Sequence, residues 1–194
     1  MILRYKETAR HIYDKLKKIP RTGWVIREVP DPETVYDHTV SLLKMADEIS
    51  VELELTPEEL DDLKHVLEVH DWAEAVAGDE YIPNDDKTSY EERKLAKAKR
   101  EKEGLAEVLA GQPYRGTVTK LFERYETGAD KIAKLAKELD KFQALTLAGE
   151  YEEQHGIPLF EEFYRYYARD NSFANPVILE KVAELHKKFS ESQM

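Results

Sequence analysis

Apolar side chains recur every three or four positions along most of this chain, the spacing of helices that bury one face. Tyr5, Ala9, Ile12, Leu16 and Ile19 form the first such stripe and predict a helix over residues 3–19, stopped by Pro20. Residues 21–30 read as a loop with Trp24 at its centre. A second helix is expected from Pro32, in its first turn, to about Ser50, with Val35, His38, Thr39, Leu42, Ala46 and Ile49 facing inward. Thr56-Pro57-Glu58-Glu59 is a capping box that opens a third helix, whose stripe Leu60, Leu63, Leu67 and His70 continues to Gly78. A polar loop follows to Lys87. Ser89-Tyr90-Glu91-Glu92 then reads as another capping box, starting a charged, solvated helix that ends near Glu103. Further helices are predicted over residues 114–127, 130–153 and 158–167, and from the cap Asn175 toward the C-terminus. Nothing reads convincingly as a strand, so the expectation is an all-α fold, one compact domain over residues 1–194.

Composition narrows the partners. Apolar residues make up 41% and charged ones 36% of 194 residues, and the net charge of −11 argues against a nucleic-acid polymer, which demands a basic surface. A small phosphorylated ligand stays compatible, because a few basic groups and a metal set the local field. There is no cysteine, hence no disulfide or thiolate chemistry, and a metal site must draw on His, Asp and Glu. No apolar run approaches the ~20 residues of a membrane span, and no signal peptide is visible, so a cytoplasmic protein is expected.

Polar residues on apolar stripes are the candidate chemistry. His38 and His70 each fall on the inward face of a predicted helix, Asp71 follows His70 directly, and Asp140 lies in the middle of the longest helix among alanines. Taken singly, each histidine is as well read as a packed core residue, and Asp140 as an exposed acid beside Lys137 and Lys141. Taken together, two imidazoles and two carboxylates suit a divalent cation such as Mn, Co, Ni, Fe or Zn, and four such ligands with a dication sum to zero charge. Glu74 sits one helical turn beyond His70, and Asp79 just past the glycine turn. His11, His65, His155 and His186 lack such company and read as surface or packing residues.

The stretches Arg21-Thr22-Gly23-Trp24-Val25, Pro32 to His38, His70 to Asp79, Leu139 to Ala144, and Tyr151-Glu152 together resemble the HD-domain metal phosphohydrolases, in particular their 5′-deoxynucleotidase branch. The resemblance spans about residues 20–175. It implies a compact helical HD domain, commonly a homodimer, that hydrolyses deoxynucleoside 5′-monophosphates to deoxynucleoside and phosphate. It implies metal ligation by His38, His70, Asp71 and Asp140, with the cation (Co, Mn, Ni, Fe, Zn or Mg) lowering the pKa of water so that hydroxide is available at neutral pH. Glu74 and Asp79 match the further acidic residues, as base and acid in either order. Glu74, Asp79 and Glu80 match a second cation position of some members. Arg21 and Trp24 fall in the substrate segment. In bacterial members an arginine directly precedes the tryptophan, whereas Gly23 does here, so Arg21 and Arg27 are both candidates for the phosphate, with Lys87 as a further cation. Trp24 is read either as a plug beneath the loop or as a flat wall that excludes a 2′-hydroxyl. Two alternatives stand beside this reading: a phosphohydrolase acting on another nucleotide (a deoxynucleoside triphosphate, cyclic dinucleotide or alarmone), or a non-catalytic module that binds metal or nucleotide.

Overall fold

A computed structural model describes residues 3–82, 87–169 and 171–191. Among these residues there are ten helical segments and no strand, as the apolar periodicity predicts. The chain divides into two compact units, one built from Ser41–Leu67 and Arg124–Met194, the other from Ile2–Val40 and Glu68–Glu123.

The first unit holds most of α3 (Val35–Ile49) and α4 (Pro57–Val69), the end of α7 (Arg115–Thr127), and α8 (Lys131–His155), α9 (Phe160–Arg169) and α10 (Pro176–Glu191). The capping box at Thr56 forms as expected, Thr56 N donating to Glu59 Oε2 at 3.0 Å and Glu59 N to Thr56 Oγ1 at 3.2 Å. Asp130 caps α8 by accepting from Ile132 N and Ala133 N, and Asn175 caps α10 through Val177 N. Arg124 joins three elements of this unit, donating two parallel bonds of 2.7 Å to the Asp62 carboxylate of α4 and two more to Asp130. Planar guanidinium geometry matches a carboxylate in this bidentate way. Phe160 of α9 stacks on Phe189 of α10 with ring centroids 4.4 Å apart.

The second unit holds α1 (Arg10–Leu16), α2 (Thr22–Val25), the first turn of α3, the end of α4, α5 (Glu74–Ala77), α6 (Lys87–Val108) and most of α7. The first helix starts at Arg10 rather than residue 3. The backbone N–H groups of Arg4 and Tyr5 both donate to Glu68, buried at 2% exposure, and Tyr13 OH donates to the same carboxylate. A chain whose N–H groups are committed to a distant acid forms turns instead of a helical ladder. Residues 21–30 are not simply loop, since α2 forms one short turn there. The helix expected from Pro32 begins at Val35, because Thr34 and Asp37 cap it reciprocally, Thr34 N to Asp37 Oδ2 and Asp37 N to Thr34 Oγ1, both 3.1 Å.

Two further expectations need correction in this unit. Ser89 lies inside α6, where its hydroxyl accepts from Arg93 one turn on, so it is not a cap. Nor is α6 a uniformly solvated helix ending near Glu103. It runs to Val108, and Arg93, Lys97, Glu101, Gly104 and Val108, spaced three or four apart, form its sheltered face. Gly104 is where that face meets the turn after α4, since a β-carbon there would lie 2.9 Å from the Ala73 carbonyl oxygen. Gly→Ala inside a helix ordinarily stabilises by about 1 kcal/mol. Here the sign reverses, because backbone must move: Gly104→Ala is expected to lower stability by about 1–3 kcal/mol in urea or thermal unfolding. A stabilised variant would contradict the close approach.

Candidate metal centre

The decisive local feature is the end of α4. The helix stops at Val69, and residues 70–73 continue as a tight turn, with Trp72 N bonded to Val69 O at 3.1 Å, Glu74 N to Asp71 O at 3.0 Å and Ala75 N to Trp72 O at 3.2 Å. These are bonds to the third residue back, so the expected unbroken helix to Gly78, with His70 and Glu74 on one face, is not formed. In such a tightened turn residues three apart eclipse, which puts Asp71 and Glu74 on one side. Trp72, fully buried, anchors the turn against Tyr5, Tyr13 and Tyr114 at ring centroid distances of 5.3, 5.7 and 6.1 Å.

His38, in the first turn of α3, is 0% exposed, and its ring centroid lies 5.5 Å from that of His70. Asp71 Oδ2 is 3.0 Å from His70 Nε2 and 3.9 Å from His38 Nε2, and one ligand atom from each of the three residues lies within 4.8 Å of the others. Neither Nε2 meets hydrogen-bond geometry there. Burial alone would raise the Asp71 pKa, but His70, Arg21 and His38 outweigh it and hold the carboxyl well below the usual carboxylate range. Two imidazoles and an ionised carboxylate converging in this way form a donor set that fits a divalent cation.

Around this cluster the acidic residues differ in kind. Glu74 is 4% exposed and its Oε2 is buried without a hydrogen bond. Burial first, then the charges of Asp71 and Asp79, push its pKa well above the usual value, against the pull of Lys97 and Arg21. Asp79 follows Gly78, whose φ of 77° is the left-handed conformation that a glycine adopts freely. The Asp79 carboxylate accepts from Thr22 N, and its carbonyl accepts from Thr22 Oγ1 at 2.8 Å. Arg21 Nη1 lies 3.5 Å from Asp71 Oδ2.

The other sequence candidates are placed as follows. Arg27 folds back on its own segment, donating to Gly23 O at 2.7 Å and lying over the Tyr81 ring, so Arg21 is the arginine beside the cluster. Trp24 is only 2% exposed and donates its indole N–H to Glu33 Oε1 at 3.1 Å, while Glu33 Oε1 lies 3.8 Å from His38 Nδ1. Glu80 pairs its carboxylate with Arg100 and offers its carbonyl to Lys97 at 3.2 Å. Lys87 opens α6, and its side chain falls outside the described residues. Asp140 belongs to the first unit, half-buried on α8, and accepts from Tyr125 OH at 3.0 Å.

Sequence reasoning gave no role to Glu33, Thr22 and Lys97. A carboxylate on the far nitrogen of a ligating histidine fixes its tautomer and orientation, and Glu33 stands on that side of His38. The signal for Lys97 was present in the three-to-four spacing of α6, masked because its inward positions are charged.

The HD domain family profile matches residues 13–180. The chain belongs to the HD domain family. It is 36% identical over 180 residues to a 5′-deoxynucleotidase HDDC2 of Danio rerio, covering 90% of this chain and 82% of that protein. The Homo sapiens protein of the same name is 34% identical over 181 residues, with 91% and 82% covered. Among solved structures, a conserved hypothetical protein from Pyrococcus furiosus superposes with a TM-score of 0.70 at 26% identity, covering 93% of this chain and 98% of that one. One from Magnetospirillum magnetotacticum shares the fold at a TM-score of 0.62 and 21% identity, with 95% and 94% covered. As an HD-domain phosphohydrolase, the chain has in His38, His70 and Asp71 a possible metal site.

Binding of a cation to the folded state alone raises stability by mass action, about 2.7 kcal/mol at a hundredfold excess over Kd. Mn²⁺ or Co²⁺ should therefore raise Tm in the wild-type protein. In His70→Ala the Tm should be the same with and without the cation, and an undiminished shift there would remove His70 from the site.

Proposed function

We propose that this HD-domain protein is a metal-dependent 5′-deoxynucleotidase, hydrolysing deoxynucleoside 5′-monophosphates to deoxynucleoside and phosphate. The observation that carries the proposal is the His38–His70–Asp71 convergence with the buried, unsatisfied Glu74 beside it. A purely structural ion needs the three ligands but not a buried acid with raised proton affinity. Relatives named 5′-deoxynucleotidase, at 34–36% identity over about nine-tenths of this chain, supply the substrate class.

In this reading His38, His70 and Asp71 hold the cation, with Asp140 as the fourth ligand, and all 194 residues form one HD domain. The cation is drawn from Co, Mn, Ni, Fe, Zn or Mg. It supplies Lewis acidity and lowers the pKa of water from about 15.7 toward ~7. Glu33 keeps His38 in the tautomer with Nε2 free to ligate. Glu74 Oε2 takes the proton of the attacking water and returns one to the leaving 5′-oxygen. Its raised proton affinity, caused by burial and by the charges of Asp71 and Asp79, suits a group that takes up a proton during the reaction. The Asp79 carboxylate is already committed to Thr22 N–H, so it serves chiefly to place the substrate segment. Arg21, rather than Arg27, compensates charge on the phosphoryl oxygens, where positioning and cationic stabilisation carry most of phosphoryl transfer. Trp24 braces Glu33 from behind, and a direct contact with the sugar would require its indole to leave the core. Lys87 is a further cation for the phosphoryl charge, and Glu74, Asp79 and Glu80 are a second cation position by resemblance alone. A cytoplasmic homodimer completes the proposal.

Phosphate release from a panel of nucleotides tests it. Deoxynucleoside monophosphates should be hydrolysed with Co²⁺ or Mn²⁺, and a chelator or Asp71→Ala should abolish the activity. Glu74→Gln should keep the cation and lose about 10²–10⁴ in kcat. Tight nucleotide binding without turnover, or turnover indifferent to both chelator and Asp71→Ala, would sink the proposal.

A further inference from the structure

Lys97 lies in the middle of a helix whose other charged residues are mostly solvated, yet its side chain is only 26% exposed. Its Nζ faces three oxygens from three places in the chain: the Glu80 carbonyl at 3.2 Å, Glu101 Oε1 at 3.4 Å and Glu74 Oε1 at 4.0 Å. An ammonium has three N–H donors and no acceptor, so it suits this set. Burial lowers the Lys97 pKa, but Glu101 and Glu74, followed by Asp71 and Asp79, outweigh it and hold the group charged, above the usual lysine range.

What hangs on these contacts is the segment that carries Arg21. Glu80 adjoins Asp79, and Asp79 binds both the backbone N–H and the hydroxyl of Thr22 at the start of α2. Thr22 adjoins Arg21, which reaches Asp71. The neighbouring Arg100–Glu80 pair holds the same turn, but its side chains are 48% and 40% exposed, and exposed pairs contribute little. The hold therefore falls on Lys97.

We propose that Lys97 is a positioning residue of this site: it pins the Glu80 carbonyl and the Glu74 carboxylate to α6, and through Asp79 and Thr22 it fixes where Arg21 stands. The catalytic consequence rests on the function proposed above, whereas the structural consequence does not. The two are separated by measuring hydrogen exchange and kinetics on the same full-length variants.

Without nucleotide or metal, Lys97→Gln should speed amide exchange of peptides covering residues 20–28 by at least about tenfold, while α8 and α10 keep their protection. Lys97→Arg should restore most of the protection, since it keeps charge and reach. With substrate, Lys97→Gln should lose roughly a hundredfold in kcat/KM, as expected when a reacting group is misplaced by about 1 Å, while its affinity for Mn²⁺ stays at the wild-type value. Unchanged exchange at residues 20–28 overturns the proposal. So does uniform loss of protection through α8 and α10, which would make Lys97 a residue of general stability. Should the wild-type protein hydrolyse no deoxynucleotide, the assigned function fails and the exchange measurements still decide the role of Lys97.

Discussion

A helix that ran on through residue 70 would carry His70 and Glu74 on one face and leave Asp71 and Glu74 offset from each other. The structure avoids this by tightening the backbone after Val69, where bonds to the third residue back replace those to the fourth. Residues three apart then eclipse, so Glu74 falls on the same side as Asp71, whose Oδ2 lies 3.0 Å from His70 Nε2. A tightened turn has poorer hydrogen bonds than an α-helix, so something must hold it. Trp72 does so from within, fully buried among tyrosines, and the backbone of α6 does so from outside, at the one position where the absence of a β-carbon allows the approach. The rest of the site in this unit is arranged around the product of that turn.

Two carboxyl groups three residues apart are driven in opposite directions by their surroundings. Asp71 meets two imidazoles and a guanidinium, and its ionised form is favoured despite its burial. Glu74 lies deeper and meets chiefly other carboxylates, so its proton is retained to higher pH. In the function proposed above, such a separation would assign different work to chemically similar groups: one to bind a cation, one to handle protons. The compensating charges are also mechanical links. Arg21 ties α2 to the turn, Glu33 stands between Trp24 and His38, and Lys97 ties Glu74 to α6.

Much of this was legible beforehand, and the failures have physical causes. The apolar periodicity located the all-α class and the stripes bearing His38 and His70. The capping box read at Thr56 and the cap read at Asn175 formed, each immediately before its helix. The box read at Ser89 failed because the same residue pattern occurs inside a helix as an ordinary polar turn. The late start of α1 was invisible because its cause, Glu68, lies 63 residues away from Tyr5. The break at Val69 carries no glycine or proline, so local signals could not reveal it. Lys97 was overlooked for a related reason: hydrophobic patterning finds inward faces by apolarity, and the inward positions Arg93, Lys97 and Glu101 of α6 are charged.

The short segment from Arg21 to Glu33 buries two apolar side chains, Trp24 and Val29. Beside that burial it is tied by polar groups of the cluster: Asp71 through Arg21, Asp79 through Thr22, and His38 by way of Glu33 and Trp24. In the proposed function, the substrate segment and the metal ligands of this unit are therefore not separable modules. A change that loosens the segment alters the surroundings of Asp71 and His38, and a cation that draws Asp71 toward itself alters the partner of Arg21. Coupling of this kind is reciprocal by thermodynamic necessity. It follows that cation affinity and substrate affinity should be read together in this protein. A family fold alone does not choose a substrate. In the function proposed above, that choice would fall to how the segment from Arg21 to Glu33 is held against the cluster.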